Sequence, residues 1–344
     1  MKLKNLFLGL LVIAGSLNTV AQEKVEFKPS GKVNGKVFFN YNYDMTDGED
    51  KESGFEIKRA YFGYDYNIAK GLKASITLDV GKNNEGSDYT AFLKKAQLEW
   101  KASSDIKVAL GMIGTIQFKE QEKFWGYRYI MKSFNDQYGL GASADLGIKA
   151  NFKLNDVFSA NAIIINGEGY KKIQDEDGKQ KFGASLVYKN NGLIAKVYAD
   201  ATSAKVANEN GSEDDVTVSA LATFVGYKFS DKFRLGAEYN QLINGTKYSK
   251  VADNHDLDGL SFYSTYTFNK KWEVFGRYDN LNSNTLEGET EKWNLSNNGA
   301  AITTGVQYAP AKGVKMAFNY RNFAHKDSSK EDQSQVYVNF EFKF

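Results

Sequence analysis

Hydrophobic and polar residues alternate one by one in many short stretches of this chain, and the last ten residues show the pattern clearly. In QVYVNFEFKF (335–344) every even-numbered residue is Val or Phe, whereas the odd-numbered residues are mostly polar. Successive side chains of a β-strand point to opposite faces, so the pattern predicts a strand with one apolar and one polar face. A terminal strand of a soluble sandwich could look the same, so the rest of the chain has to separate the two architectures.

The same alternation recurs along the whole chain. Two clear examples are GLKASITLDVGK (71–82) and FLKKAQLEWK (92–101). With the terminal stretch we count sixteen such segments, an even number. The side-chain register stays ambiguous by one residue around 54–66, 157–167 and 216–229.

The connections between these segments alternate in length. Short ones include ASSD (102–105) and SDK (230–232), and long polar ones include residues 243–258 and 282–297. This sorting is typical of bacterial outer-membrane barrels, which have short periplasmic turns and long extracellular loops. Because lipid does not tolerate an open sheet edge, the last strand would pair with the first. The sequence therefore predicts an all-β fold, a 16-stranded antiparallel transmembrane β-barrel with short periplasmic turns and long extracellular loops.

The N-terminus has the features of an export signal. Lys2 and Lys4 precede an apolar run from residue 6 to residue 14, and small residues lead to a cleavage site before Gln22. This order is typical of a secretory signal peptide, and the run is too short for the alternative, a membrane anchor. We expect a signal peptide at 1–21, a short N-terminal segment at 22–30 and the barrel at 31–344, in the bacterial outer membrane.

Composition narrows the classes of partner. The chain has no cysteine, which excludes disulfides and thiolate metal sites, and we expect neither a metal nor a cofactor. Loss of Lys2 and Lys4 with the leader lowers the 44 basic residues to 42, equal to the 42 acidic residues. This balance gives no reason to expect nucleic acid as a partner. The 21 Tyr and 24 Phe fit the aromatic girdles of membrane barrels.

One long connection, residues 119–140, differs from the others. KEQEKFWGYRYIMKSFNDQYGL is basic and aromatic, and aromatic side chains on a solvated loop tip would be unfavourable, so the segment should pack against protein. It is the third long loop, and the third extracellular loop of general porins folds into the pore and narrows it. The alternative is a rim or subunit-contact loop on the outer surface. The expected constriction residues are Lys119, Lys123, Trp125, Tyr127, Arg128, Tyr129 and Lys132.

The strand positions on the polar side of the alternation, which would face the lumen, carry more basic than acidic residues. Sixteen strands enclose a channel wide enough for water, and Lys and Arg lining a pore favour anions. The alternative is that these charges pair with one another and only solvate the lumen. The basic residues expected to line the lumen are Arg59, Lys73, Lys95, Lys107, Lys149, Lys196, Arg234, Arg277 and Arg321.

Two stretches resemble the phosphate-selective porin O and P family. They are GFEIKRAYFGYDYNIAKGLKASITLDVG (54–81) and SADLGIKANFKLNDVFSANAIIINGEG (143–169). The resemblance implies a porin, with homotrimers typical of the family. It does not carry phosphate selectivity, because Gly114 and Ile116 stand where the family has Lys and Pro, and Ala144 where Arg is common. The aromatic last strand ending at Phe344 resembles the signal that the barrel assembly machinery recognises.

These patterns together predict an outer-membrane porin, without enzymatic activity, for passive diffusion of small hydrophilic solutes, with a mild anion preference and phosphate as a candidate. Partners would be outer-membrane lipid, lipopolysaccharide, the solutes and the assembly machinery. The alternatives are a non-conducting surface or adhesion barrel and a barrel hydrolase. A hydrolase would need a pair such as Ser261 with His255, or two acids at the outer rim.

Overall fold

A computed structural model describes residues 27–48, 53–81, 89–172, 178–207, 213–245 and 254–344. The expected signal peptide at 1–21 lies outside these residues. No helix in the described part of the chain is long and apolar enough to cross a membrane.

Sixteen antiparallel strands form one closed barrel in which each strand pairs with its neighbours in sequence. The strands are β1 Ser30–Asp44, β2 Ser53–Ala69, β3 Leu72–Gly81, β4 Thr90–Lys101, β5 Ile106–Gly114, β6 Ala144–Lys153, β7 Phe158–Ile165, β8 Lys181–Asn190, β9 Leu193–Ala207, β10 Glu213–Lys228, β11 Phe233–Ile243, β12 Leu257–Thr267, β13 Trp272–Ser283, β14 Gly299–Ala311, β15 Val314–His325 and β16 Gln333–Lys343. The prediction of a closed, all-β, 16-stranded antiparallel barrel is confirmed.

The last strand closes the barrel against the first. β1 and β16 pair from Lys36 opposite Lys343 to Asp44 opposite Gln335. Phe39 and Phe340 stack across this seam with ring centroids 4.6 Å apart. Beyond the paired stretch, Gly35 and Phe344 exchange two backbone hydrogen bonds of 3.1 Å. The closure leaves neither terminal strand with a free edge, as a hydrocarbon surrounding requires.

Burial alternates along the strands as the sequence pattern predicts. In β12, Ser261 and Tyr263 are buried on the inner face, whereas Leu260 and Phe262 are exposed on the outer face. The same outward exposure of large apolar side chains runs around the barrel, for example at Ile302 and Phe318. An apolar outer face and a polar inner face are the arrangement of a membrane barrel.

The strand pairs of the described residues contain four register shifts, of which two are β-bulges away from the hairpin turns. One lies in β2, where Lys58 is the extra residue between the partners of Phe38 and Phe39. The other lies in β4, where Lys94 is extra between the partners of Thr77 and Leu78. A bulge inserts one residue and so shifts the side-chain parity on its two sides. The bulge at Lys58 explains why the sequence pattern is ambiguous at 54–66.

Two short helices lie in the connection between β5 and β6. They are α1 Lys119–Trp125 and α2 Phe134–Tyr138. Each ends at a glycine with a left-handed backbone, Gly126 at φ 80° and Gly139 at φ 71°, which residues with a Cβ rarely adopt. A single 3₁₀ turn, Leu295–Asn297, lies between β13 and β14. The connection between β5 and β6 thus contains regular local structure.

Candidate channel constriction

The segment between β5 and β6, residues 115–143, contacts the inner wall of the barrel. The Tyr127 hydroxyl donates to Glu273 on β13 at 2.8 Å, and the Tyr129 hydroxyl donates to Gln307 on β14 at 2.9 Å. The Tyr138 hydroxyl donates to Asp279 on β13 at 3.2 Å. Burial raises the pKa of Tyr127 and of Tyr129 above its ordinary value, which keeps both hydroxyls protonated as donors.

The aromatic side chains of the segment form a core against β10, β12 and β13. The ring of Trp125 lies 5.4 Å from Tyr263 and 5.9 Å from Phe275, edge to face with the latter. Phe124 packs on Phe224 at 5.4 Å, and Tyr127 packs on Phe275 at 4.5 Å. Of the three expected constriction aromatics, Trp125 and Tyr127 therefore fix the segment to the wall, and only Tyr129 also borders open space.

Lys196 on β9 binds the start of the segment. Its buried ammonium donates to the carbonyls of Ile116 and Gln117, the latter at 2.8 Å, and to the Glu120 carboxylate at 3.0 Å. The side chain is 0% exposed. Lys196 faces inward as expected, but the segment covers it, so it holds the segment instead of lining open water.

Arg277 on β13 binds the middle of the segment. Its guanidinium forms two bonds of 2.8 Å and 2.7 Å to Asp279 and donates to the Lys132 carbonyl at 2.6 Å. It also lies over the Trp125 ring, 5.2 Å from the centroid. Arg277 is 4% exposed, so it too is covered by the segment. Arg234 on β11 also contacts the segment, donating to the Trp125 carbonyl at 3.4 Å.

The basic residues of the segment fall into two groups. Arg128 pairs with Glu122 and with Asp136 at 2.8 Å each, and Lys132 pairs with Asp136 at 3.5 Å. Burial alone would raise the pKa of Asp136, but the charges of Arg128 and Lys132 outweigh it and hold that pKa below its ordinary value. Lys119 and Lys123 are exposed.

A second part of the inner wall, β3 to β6, carries the remaining expected lysines. Lys149 donates to the carbonyl of Gly114 at 2.6 Å, which places it at the start of the segment. Lys95 lies beside the same glycine. Lys73 lies farther along the wall, 3.9 Å from Asp65, and Lys107 is exposed at the start of β5.

An open cavity of about 570 Å³ lies between the segment and the wall formed by β1, β2 and β14 to β16. The cations that line it come from two strands and from the segment. They are Lys58, Arg59, Arg128, Lys132 and Arg321. Glu56 is the acidic residue among its described lining. The structure thus brings Arg59, Arg128, Lys132 and Arg321 together, and it separates them from Lys73, Lys107 and Lys149.

A network beside this cavity was missed by the sequence interpretation. Arg59 donates to Asp79 at 3.0 Å, and the Tyr170 hydroxyl donates to the same carboxylate at 2.5 Å. Lys94 lies 3.7 Å from Asp79 and 4.7 Å from the Tyr170 ring centroid. The alternation in 92–101 places Lys94 on the apolar face. That placement is wrong, because the bulge in β4 turns Lys94 toward the lumen.

Two observations on the described residues bear on the alternative of a barrel hydrolase. They contain no group of three or more His, Asp or Glu residues able to hold a metal ion. Ser261 is 0% exposed on the inner wall, and its hydroxyl has no hydrogen-bond partner among the described residues. The pairing of Ser261 with His255 is therefore absent from the described part of the chain.

Residues 27–344 match the model of a porin family described as "Putative beta-barrel porin-2, OmpL-like". The chain belongs to this family. The match covers all sixteen strands and the segment between β5 and β6. No curated protein matches the chain.

Solved porins have the same fold as this OmpL-like porin. OprB of Pseudomonas putida superposes with a TM-score of 0.69 at 9% identity, with 91% of this chain and 94% of OprB covered. OmpF of Salmonella typhi gives 0.65 at 16% identity, covering 91% and 97%. The anion-selective porin from Comamonas acidovorans gives 0.63 at 16% identity, covering 92% and 100%. These likenesses show the porin barrel fold, and membership in the porin family places the chain in the bacterial outer membrane.

Proposed function

We propose that this chain is a passive channel for small hydrophilic solutes with a mild preference for anions. The observation that carries the proposal is the cavity of about 570 Å³ beside the segment, lined by Arg59, Arg128, Lys132 and Arg321. Fixed cations along a narrow aqueous path lower the energy of an anion and raise that of a cation. The preference is mild because Asp79 and Asp136 neutralise part of this charge.

The segment 115–143 acts as the constriction in this proposal. Its aromatic contacts fix it across the lumen, and Lys119 and Lys123 add exposed positive charge beside the solute path. Chloride and inorganic phosphate are both candidate solutes. Phosphate is included because it is a small anion that the fixed cations would also attract.

The short connections lie on the periplasmic side and the long ones outside the cell in this proposal. Phe344 then lies near the periplasmic interface, where the assembly machinery would bind the last strand. Lipid surrounds the apolar outer face, lipopolysaccharide borders the long loops, and Gly- and Ala-rich outer positions near 141–150 and 193–201 permit close packing in a homotrimer. The chain has no enzymatic role.

Reconstitution into planar lipid bilayers tests the proposal. Purified protein should produce discrete, ohmic conductance steps in KCl. Under a KCl gradient, the reversal potential should shift from zero toward the equilibrium potential of chloride. Absence of steps from correctly folded protein would favour the alternative of a non-conducting surface barrel. Conductance steps whose reversal potential shifts toward the equilibrium potential of potassium would refute the anion preference.

A further inference from the structure

We propose that Arg321 binds the carboxylate of a small organic acid whose apolar part lies against the segment, so that the channel has a saturable site for such acids. This inference rests on the proposed channel function and names the solute class that the cavity favours. Three observations support the inference: which groups each of the five arginines contacts, the geometry of the Arg321 guanidinium, and the residues that line the cavity.

All five arginines of the chain lie inside the barrel, and three of them have carboxylate partners. Arg59 pairs with Asp79, Arg277 pairs with Asp279, and Arg128 pairs with two acids of the segment. Arg234 has no such partner among the described residues, but the segment covers it and it does not border the cavity. Arg321 is the cavity-lining arginine that forms no ion pair with a described carboxylate, although Glu56 lies near enough to stabilise its charge.

The neutral partners of Arg321 hold its guanidinium in place. Its Nε donates to the Asn319 amide oxygen and its Nη2 to the Asn339 amide oxygen, each at 2.9 Å. The guanidinium lies over the Tyr337 ring at 3.8 Å from the centroid. The amide of Asn339 also donates to the Tyr129 carbonyl at 3.4 Å, so this group is continuous with the segment.

These contacts leave part of the guanidinium for a ligand. Nη1 donates to no described residue, and one hydrogen of Nη2 is unused. Two nitrogens of one planar guanidinium match the two oxygens of a carboxylate. A half-buried cation with only neutral acceptors is stabilised when an anion takes the remaining hydrogens, because burial has removed part of its hydration.

The rest of the cavity is suited to an apolar body. Ile130, Met131 and Phe323 line it together with Phe38 and Ala301. The lining carboxylate of Glu56 accepts bonds from Lys58 and Asn40 at 3.3 Å each, which reduces its repulsion of an anion. The volume of about 570 Å³ is in the range of small-molecule sites. A planar aromatic acid would meet charge on one side and apolar surface on the other.

Benzoate, acetate and inorganic phosphate, added separately to single channels in KCl, test the inference. Benzoate should reduce the chloride current with saturation, at a lower half-blocking concentration than acetate or phosphate. Arg321→Gln should raise the half-blocking concentration of benzoate about tenfold or more, as expected for the loss of a charged hydrogen-bond pair. The control Lys315→Gln removes the same charge from the same strand outside the cavity and should change the value less than about twofold.

A second variant distinguishes the contribution of the Arg321 charge to block from that of the apolar lining. Met131→Gln should weaken block by benzoate and leave block by acetate unchanged. Equal block by benzoate and phosphate would overturn the assignment to organic acids, and unchanged benzoate block in Arg321→Gln channels would overturn the site. Both results require conducting channels, so they differ from failure of the proposed function, in which no conductance steps appear.

Discussion

Replacing Lys196 by Met should release the segment 115–143 from the barrel wall without opening the barrel. The ammonium binds two carbonyls and Glu120 in a site that is 0% exposed. Methionine is of similar length but cannot donate, so it leaves both carbonyls and the carboxylate without their common partner. The strand pairs of β9 with β8 and β10 use backbone groups, which the substitution does not change.

The magnitude follows from the burial of this pair. Removing one partner of a buried, hydrogen-bonded ion pair costs about 3–5 kcal/mol. If this cost falls on attachment of the segment, the population of the detached state rises between about a hundredfold and a few thousandfold. Lys189→Met is the matched control, because Lys189 lies 3.8 Å from the same Glu120 with 49% of its side chain exposed. A pair this exposed contributes about 0–1 kcal/mol.

Single-channel recording and limited trypsin digestion measure the outcome. Lys196→Met channels should show larger or fluctuating conductance, and trypsin should cleave the folded barrel after Lys123 or Arg128. Lys189→Met should behave as the unchanged protein in both assays. Equal behaviour of the two variants, or a Lys196→Met channel with steady, unchanged conductance, would refute the assignment of Lys196 as the residue that holds the segment.

Boiled and unboiled samples in detergent should migrate differently on a gel, since the closed strand ladder survives detergent alone; identical migration would contradict the barrel. Phe344→Asp should lower outer-membrane levels and leave protein in the periplasm, and normal levels would refute its role in assembly. Lys119→Gln with Lys123→Gln should shift the reversal potential toward cations, more at low salt where screening is weak; an unchanged potential would remove both from the solute path. Because the pKa of Asp136 lies below its ordinary 3.8, its ion pairs stabilise the segment above that pH and are lost as the pH falls through the lowered value. Conductance should therefore stay steady down to about pH 4, and flicker beginning near neutrality would argue against the pair with Arg128.

Strand parity could be predicted from sequence wherever the pleat is regular. The alternation at 335–344 predicts the outward row that ends at Phe344, and the same rule predicts that Arg277 and Arg321 point inward. It fails at Lys94, because a bulge adds a residue without a sequence signal that distinguishes it from regular strand. The aromatic composition of 119–140 predicts packing against protein, and the contacts of Trp125 with β12 and β13 agree with that.

The roles of the inward charges could not be predicted in the same way. Lys196 and Arg321 both face the barrel interior and both carry a positive charge. Lys196 is covered by the segment, whereas Arg321 borders the cavity. This difference depends on where residues 115–143 cross the lumen, and that path depends on contacts between residues far apart in the chain. Tyr129 and Gln307, for example, are 178 positions apart.

The sequence by itself determined the strand number and the closure of the barrel, because alternation with period two is a local property that can be counted along the chain. The tertiary structure decided which cations face water and which hold the segment. An ammonium or guanidinium acquires its partners only when distant strands and the segment meet. Arg59 pairs with Asp79 and Arg277 pairs with Asp279, whereas Arg321 donates its hydrogen bonds to the amides of Asn319 and Asn339.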